Sequence, residues 1–362
     1  MSRGDDDALA TVELHDGRNA LAADSFVLED PTGALRFEDV RDSRRQAFRR
    51  LAPRGENAGH SSSVYWLRFR VENAIASPSF VVDSGTMTAV VELYDESGPL
   101  HRAGPLLPFG ERDVACANIA FRIALARGEA RTFWLRQQTI DTVLLDPVVW
   151  SEPAFWNSRS RDSLADGLCY GVLIGLAAYN LFLFLATRDR SYLLYVAFQV
   201  ANGLNQAALD RYTFQYLWPE HPLWAVHSIP ALEFLTIAAG LAFARAFLDT
   251  RRRLPRLDAV MRALGIAGLV LAAIWSLGDP ELASRLVGAR ALDAIILALV
   301  TLSGAHALCS VTLIAVAAAV VAARTGAANA RVFVVAWAVL LVGSTAASLS
   351  VMGILVSMAG FS

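Results

Sequence analysis

Hydrophobic and polar positions divide the chain into two parts with different patterns. Residues 1 to about 162 intersperse charged and apolar side chains, as soluble domains do. Beyond them, the stretches 167–187, 192–209, 294–323 and 332–362 contain no charged residue. Because a helix needs about 20 mostly apolar residues to cross a bilayer core of roughly 30 Å, the second part is predicted to be a membrane domain.

Six membrane-spanning helices are predicted within a helical domain that covers 167–362. Their approximate bounds are 167–187, 191–209, 224–246, 258–278, 292–323 and 331–353. A soluble all-helical core is the alternative, and the length of the uncharged stretches argues against it. The lipid bilayer is therefore the expected partner of these helices.

The arginines between the predicted spans set the orientation. Arginines concentrate in every second loop: Arg188 and Arg190, then Arg251, Arg252, Arg253 and Arg256, then Arg324 and Arg331. The intervening loops are poor in positive charge, with Arg211 between the second and third spans and Arg285 between the fourth and fifth, and the sequence contains no Lys. Since short cytoplasmic loops carry the excess of Lys and Arg, the N-terminal domain is predicted to lie outside the cytoplasm.

Two further segments bear on this topology. The start of the chain, "MSRGDDDALA", has no apolar core and is not a signal peptide. A lost signal, numbering that begins after it, and export drawn by the first span all remain open, and we favour the first. The segment "TFQYLWPEHPLW" (213–224) falls between the second and third spans, where Tyr216, Trp218 and Trp224 are expected at the outer membrane interface.

The N-terminal part is predicted to be a β-sandwich or jelly roll. In "VYWLRFRVEN", Tyr65 to Val71 alternate between apolar residues and the residues Trp66, Arg68 and Arg70, which is the period of a half-buried strand. Turn-like clusters at "DESG" and "RGEA" predict two hairpins. The predicted organisation is a tail (1–25), a β-sandwich (26–157), a linker (158–166) and the membrane domain.

Candidate binding residues are few. Trp66 and Arg68 share one face of their strand, where a ring and a guanidinium could hold a sugar or an anion; the alternative is that the ring packs under a loop. The cysteines, Cys116, Cys169 and Cys309, offer no disulfide within the external domain. The sequence shows no catalytic constellation, no metal-ligand cluster and no phosphate-binding loop, so no cofactor is expected.

Polar residues inside the predicted spans form a second candidate group. Glu233 is the only acid in the third span, and a charge at mid-membrane costs about 2.5–3.5 kcal/mol unless it is paired or hydrated. Asn202, Asn205 and Gln206 lie on neighbouring turns of the second span. These four residues are candidates for an intramembrane polar relay. Simple hydrogen bonding between helices is the alternative.

The chain resembles the bacterial seven-transmembrane receptors with diverse intracellular signalling modules. The external part is similar to their type-two extracellular domain in "LEDPTGALRFEDV" (28–40), "SSSVYWLRFRVEN" (61–73), "VVELYDESG" (90–98), "AGPLLPFGER" (103–112) and "LDPVVWSEPAFW" (145–156). The membrane part is similar in 167–219. The resemblance implies a carbohydrate-binding-like jelly roll in the periplasm and a helical bundle in the bacterial inner membrane.

The resemblance also predicts a function. We expect a receptor, not an enzyme, that senses a small periplasmic ligand, of which a carbohydrate is one candidate, and acts through a homodimer or a cytoplasmic signalling partner. No nucleic-acid partner is expected. Family members have a seventh span and a cytoplasmic effector, and the six predicted spans suggest a truncated form. A transporter or an accessory subunit without its own output is the alternative.

Overall fold

The computed structural model describes residues 9–43, 47–61, 63–86, 90–138 and 142–277, with isolated positions between 314 and 324. The described residues form two compact units. Among the described residues, one unit contains those up to Ala165 together with Phe214–Leu223, and the other contains Asp166–Thr213 and those that follow Leu223.

The first unit is built from β-strands. In the described residues these are β1 (Thr11–Leu14), β2 (Arg18–Ala20), β3 (Phe26–Asp30), β4 (Arg49–Arg50), β5 (Glu56–His60), β6 (Val64–Asn73), β7 (Ser79–Asp83), β8 (Val90–Asp95), β9 (Gly98–Ala103), β10 (Ala120–Ala124), β11 (Ala130–Gln138), β12 (Thr142–Leu145) and β13 (Val148–Ser151). Short helical turns form at Ala22–Asp24, Asp39–Ser43 and Phe109–Glu111.

Two main sheets face each other. Within the described residues, the larger sheet has the order β4-β3-β6-β11-β8-β9, with β1 also paired to β6, and the smaller has the order β10-β7-β13-β2. A separate pair joins β12 to β5. The β1–β6 pair is parallel and the other described pairs are antiparallel. This arrangement confirms the predicted β-sandwich.

The core lies between these sheets and follows the alternation of the sequence. Tyr65, Leu67, Phe69 and Val71 of β6 all point into it, as their period-two spacing predicts. The rings of Phe69 and Phe133, paired across β6 and β11, are stacked with centroids 5.9 Å apart. The same strand is also buried on its other face, so β6 is a fully covered central strand and not a half-buried one.

The two predicted hairpins have different outcomes. The "DESG" turn joins β8 to β9, which pair antiparallel, so this hairpin is confirmed. The prediction of a hairpin at "RGEA" is wrong, because β10 pairs with β7 in the smaller sheet while β11 pairs with β6 and β8 in the larger one. The turn therefore carries the chain from one sheet to the other. Turn composition marks where a strand ends but does not identify its partner.

The domain boundaries in the structure also differ from the predicted ones. β1 and β2 lie in the predicted tail (1–25), where they pair with β6 and β13. The predicted linker (158–166) is part of one helix that begins at Glu152 and continues to Thr187. This helix starts directly after β13. It continues through the predicted linker because the chain between Pro153 and Asp166 contains no Pro or Gly.

The second unit is helical. The helices are α1 (Glu152–Thr187), α2 (Arg190–Leu209), α3 (Tyr212–Tyr216), α4 (Pro222–Phe247), α5 (Thr250–Arg253) and α6 (Pro255–Leu277) in the described residues. Of these, Glu152–Thr187, Pro222–Phe247 and Pro255–Ser276 are long and apolar enough to cross a membrane. α2 coincides with the predicted second span, but its two Asn and two Gln lower its hydropathy.

The surface of α1 matches a lipid environment. Leu168, Ile174 and Phe182 are between 65% and 71% exposed, a degree that would be unfavourable over a long helix in water. A β-sandwich followed by helices with candidate membrane spans confirms the predicted fold class. The predicted sixth span (331–353) lies outside the described residues, and the fifth (292–323) is described only at isolated positions.

Candidate functional site

A loop of the β-sandwich holds the segment Phe214–Leu223, which is defined here as the interhelical segment because it leads from α3 into α4. The backbone N–H of Phe109 donates to the carbonyl oxygen of Pro219 at 2.9 Å. The rings of Phe109 and Phe214 meet edge to face with centroids 5.5 Å apart, and both are buried. The interhelical segment therefore belongs to the same compact unit as the β-sandwich.

Arg112 fixes this contact from one side. Its side chain is buried, and its guanidinium carbon lies 4.6 Å from the ring centroid of Phe109 and 5.5 Å from that of Phe214. Nη1 of Arg112 donates to the carbonyl oxygens of Cys116 at 2.7 Å and Ala117 at 3.1 Å. Cation–π contacts and charge-assisted hydrogen bonds offset the cost of burying the charge. One side chain thus links the 109–118 loop to the interhelical segment.

The same loop is attached to the smaller sheet through Asn118. The Asn118 side chain donates to a carboxylate oxygen of Asp83, at the end of β7, at 3.0 Å. Burial, reinforced by the nearby Asp83 carboxylate, raises the pKa of the Cys116 thiol to about 11. Because the thiolate is the reactive form, Cys116 is a packing residue at neutral pH.

In the helical unit, a cluster of tyrosines and carboxylates joins α1 to the end of α2. The Tyr170 hydroxyl donates to Asp210 at 2.6 Å, and the Tyr212 hydroxyl donates to Asp166 at 2.6 Å. The two tyrosine rings meet edge to face with centroids 5.9 Å apart. The Gln206 amide also donates to Asp210, at 3.1 and 3.2 Å to its two oxygens. Tyr212 begins α3, the short helix that leads into the interhelical segment.

A second candidate region lies on the outer face of the larger sheet. Apolar and aromatic residues of the strands pack there against Leu35, Phe37, Val40 and Phe48; the strand residues are Phe26, Leu28, Val64, Trp66, Tyr94 and Trp134. The Phe37 ring stacks on Tyr94 at 4.6 Å and meets Trp134 edge to face at 5.4 Å. The ring nitrogens of Trp66 and Trp134 are buried and have no hydrogen-bond partner among the described residues.

Charged residues continue this face toward the sheet edge. Glu92 accepts from Arg102 at 3.2 Å and from Arg136 at 3.4 Å, so the three side chains form a row across β9, β8 and β11. The Tyr94 hydroxyl donates to Glu92 at 2.9 Å. Burial, together with this hydrogen bond to a carboxylate, raises the pKa of Tyr94 to about 12. The phenol therefore remains neutral at physiological pH.

Family comparisons assign both parts of the chain. Residues 162–362, more than half of the sequence, match the family model described as 7TM diverse intracellular signalling. Residues 22–151 match the model described as 7TMR-DISM extracellular 2. The chain belongs to this seven-transmembrane receptor family. The resemblance seen in the sequence is confirmed, and no curated protein sequence matches the chain.

The receptor is a membrane protein with an N-terminal extracellular domain. The extracellular match ends at residue 151, where β13 ends, and the membrane match begins at residue 162, within α1. The matched family is one of receptors and signalling proteins.

The receptor places its predicted ligand-binding residues in a covered position. Trp66 is 1% exposed and Arg68 is 8% exposed, and the Arg68 guanidinium lies over the rings of Phe48 at 4.9 Å and Phe26 at 5.5 Å. This environment corresponds to the alternative in which the ring packs under a loop. Ligand binding by Trp66 and Arg68 stays a prediction.

Only one of the four predicted relay residues, Gln206, takes part in the tyrosine–carboxylate cluster. Gln206 joins the tyrosine–carboxylate cluster through Asp210. Asn202 and Glu233 are half-buried on α2 and α4. The Asn205 side-chain oxygen is buried and has no hydrogen-bond partner in the part of the chain that the structure describes. The relay stays a prediction for these four residues.

The residues that attach the interhelical segment were not predicted from the sequence. Phe109 and Arg112 fall in "AGPLLPFGER", a stretch that carries the family resemblance, and Phe214 falls in the aromatic segment assigned to the membrane interface. The exposed Tyr216 suits that interface, whereas Phe214 is buried at 2%. An apolar ring beside a turn was the available signal, but its partner lies far away in the sequence.

Proposed function

We propose that the receptor binds a small ligand, with carbohydrate as the favoured class, on its β-sandwich in the periplasm of a bacterium. Binding is relayed from there through the helices in the inner membrane. The observation that carries this proposal is the attachment of the interhelical segment to the 109–118 loop through Phe109, Arg112 and Phe214. A change in that loop would displace a segment continuous with α3 and α4.

The ligand class rests on the chemistry of the outer face of the larger sheet. Aromatic rings beside a few charged groups are typical of small-molecule sites. The half-buried Tyr94 supplies a ring at this face, with the covered Trp66 and Trp134 packed beneath it, while Glu92 and Arg136 supply charged groups that could orient hydroxyls. Arg102, with a side chain 60% exposed, gives the accessible end of this row.

The relay requires a ligand to favour one arrangement of the helices over another. A ligand shifts a conformational equilibrium only by its difference in affinity for the two states. The tyrosine–carboxylate cluster at the start of α3 supplies hydrogen bonds that such a shift would rearrange. A second copy of the receptor or a cytoplasmic signalling partner would read the new arrangement.

The test has a binding stage and a relay stage. Glucose, galactose, N-acetylglucosamine and galacturonate are added to the purified full chain, and the thermal unfolding midpoint is measured. A bound sugar raises the midpoint because it binds only the folded state. Absence of a shift with every sugar would count against the carbohydrate class.

The relay stage uses spin labels at the exposed positions Arg188 and Arg253, after replacement of the native cysteines. We expect the sugar that raises the midpoint to change the distance between the labels. Phe214→Ala should abolish this change while sugar binding persists, and the exposed Tyr216→Ala should retain it. If the change survives in Phe214→Ala, the interhelical segment is not the route.

A further inference from the structure

A cleft of about 970 Å³ lies where two loops of the helical unit come together, and it is lined by Asp189, Arg190, Asp249, Arg251 and Arg252. Residues 188–190 connect α1 to α2, and residues 248–254 connect α4 to α6. Because the N-terminal domain is extracellular, a first crossing by α1 places the 188–190 loop on the cytoplasmic side. After the return through α2, α4 delivers the second loop to that same side.

The three arginines of this cleft outnumber the two carboxylates that also line it, Asp189 and Asp249, so the lining keeps a net positive charge. Arg190, Arg251 and Arg252 are exposed and form no ion pair with any described residue. Asp189 caps α2, since its carboxylate accepts the backbone N–H of Ser191 at 2.8 Å. That hydrogen bond uses part of its capacity to accept from an arginine, so the guanidiniums remain available to an external anion.

A buried network fixes the turn that carries two of these arginines. Arg245 at the end of α4 makes a bidentate pair with Asp258 of α6, at 2.9 and 3.0 Å. The hydroxyl of the fully buried Thr250 donates to the same carboxylate at 2.7 Å. Asp258 is thereby committed to Arg245 and Thr250. Arg251 and Arg252 follow Thr250 directly, so they project from a turn that these hydrogen bonds hold in place.

We propose that this cleft binds the phosphate group of an anionic phospholipid in the cytoplasmic leaflet. Guanidinium groups match the geometry of phosphate oxygens and bind them through paired N–H donors. Basic pockets at the cytoplasmic ends of membrane helices are suited to lipid headgroups. Orientation alone requires positive charge on this side of the membrane, but it does not require those charges to gather in one cleft from two loops.

The test compares two sets of arginines with equal charge. The lining variant carries Arg190→Gln, Arg251→Gln and Arg252→Gln. The control variant carries Arg188→Gln, Arg253→Gln and Arg256→Gln, which removes the same charge from exposed positions in the same loops and at the start of α6. The full chain is purified in neutral detergent, and binding of a fluorescent short-chain phosphatidylglycerol is titrated.

The expected result is weaker binding by at least about tenfold in the lining variant and by less than about threefold in the control. Phosphatidylcholine, inorganic phosphate and glycerol phosphate are the competitors, and none of them should displace the probe at the concentration where unlabelled phosphatidylglycerol does. Displacement by either soluble phosphate would assign the cleft to a soluble ligand and overturn the lipid proposal.

Two other outcomes would also overturn it. Equal loss in both variants would show a general surface-charge effect, and unchanged binding in the lining variant would show that the cleft is not involved. Thermal unfolding midpoints of both variants report whether folding is retained. If the triple lining variant does not fold, the single substitution Arg252→Gln with Arg253→Gln as its control gives the same comparison.

Discussion

At the scale of single residues, Arg112 is held by both rings and backbone carbonyls in the extracellular domain. Its charge is buried between Phe109 and Phe214, while Nη1 donates to backbone carbonyls of the 116–118 loop. A planar guanidinium can satisfy both demands because it donates in its plane and stacks on rings with its faces. A lysine at this position would lose the stacking, and a glutamine would lose the charge.

The substitution Arg112→Gln is therefore expected to lower the free energy of unfolding by about 2–4 kcal/mol, from lost charge-assisted hydrogen bonds and cation–π contacts. The measurement is denaturant unfolding of the full chain followed by tryptophan fluorescence. Arg122→Gln is the control, since its pair with Glu152 at 3.1 Å involves an arginine side chain that is 45% exposed. Exposed pairs contribute only about 0–1 kcal/mol. Equal losses would contradict the role given to Arg112.

Asp30 gives the extracellular domain a pH dependence. Burial alone would raise its pKa, but hydrogen bonds from the backbone of Leu35, Thr32 and Gly33 and from the Thr32 hydroxyl together lower the pKa below the usual 3.8. A carboxylate with a lowered folded pKa stabilises the fold above its unfolded pKa. That stabilisation is lost as the pH falls through the folded pKa.

We therefore expect Asp30→Asn to lower the unfolding midpoint at neutral pH and to leave it less sensitive to acid below about pH 4. Midpoints of the full chain are measured from neutral to acidic pH. Asp24→Asn, in a turn nearby, is the control and should keep the acid sensitivity of the unsubstituted chain. The same acid sensitivity in Asp30→Asn would show that other carboxylates dominate.

At the scale of elements, short helices depend on their neighbours. α3 has five residues, too few to form a stable helix in isolation. Tyr212 anchors its start through Asp166, and Phe214 anchors its middle through Phe109. α5, with four residues, is held similarly by the Thr250 hydroxyl on Asp258. Both elements mark places where side chains, not helix propensity, determine the backbone.

The Arg245–Asp258 pair between α4 and α6 gives a prediction at this scale. Removing one partner of a buried pair leaves an uncompensated charge and costs about 3–5 kcal/mol. Arg245→Ala should thus destabilise the full chain in detergent by about that amount. The double variant Arg245→Ala with Asp258→Ala should be less destabilised than the sum of the two single variants. Additive losses, measured by thermal unfolding, would indicate that the two residues act independently.

At the scale of the whole molecule, the sides of the membrane are the testable property. With the N-terminal domain extracellular and α1, α2 and α4 crossing as the sequence predicts, we expect the turn at Arg253 to lie in the cytoplasm. The predicted six spans return Ser362 to the periplasm. Alkaline phosphatase, active only in the periplasm, should be inactive when fused after Arg253 and active when fused after Ser362. A β-galactosidase fusion provides the converse readout, and an inactive phosphatase after Ser362 would show that the span count is wrong by one.

Much of the fold could be predicted from the sequence, and the candidate site could not. The inward face of β6, the hairpin at "DESG" and the helices at 167–187 and 224–246 each follow from a local pattern. The contact of Phe109 with Phe214, the packing of Trp66 in one cluster with Phe37 and Phe48, and the cleft lined by two basic loops each join residues that are distant in the chain. The periodicity of apolar residues along the chain does not predict contacts of this kind.

The sequence by itself determined the β-sandwich class, the membrane character of the second part and its predicted orientation. These properties follow from the order of apolar and charged residues. A membrane span requires a long apolar stretch, and a strand beside a sheet core requires alternating apolar residues. Tertiary structure alone decided that β10 and β11 enter different sheets, that Arg112 contacts the interhelical segment, and that Arg190 and Arg251 line one cleft. Each depends on which distant surfaces bury one another, and many pairings satisfy the same local pattern.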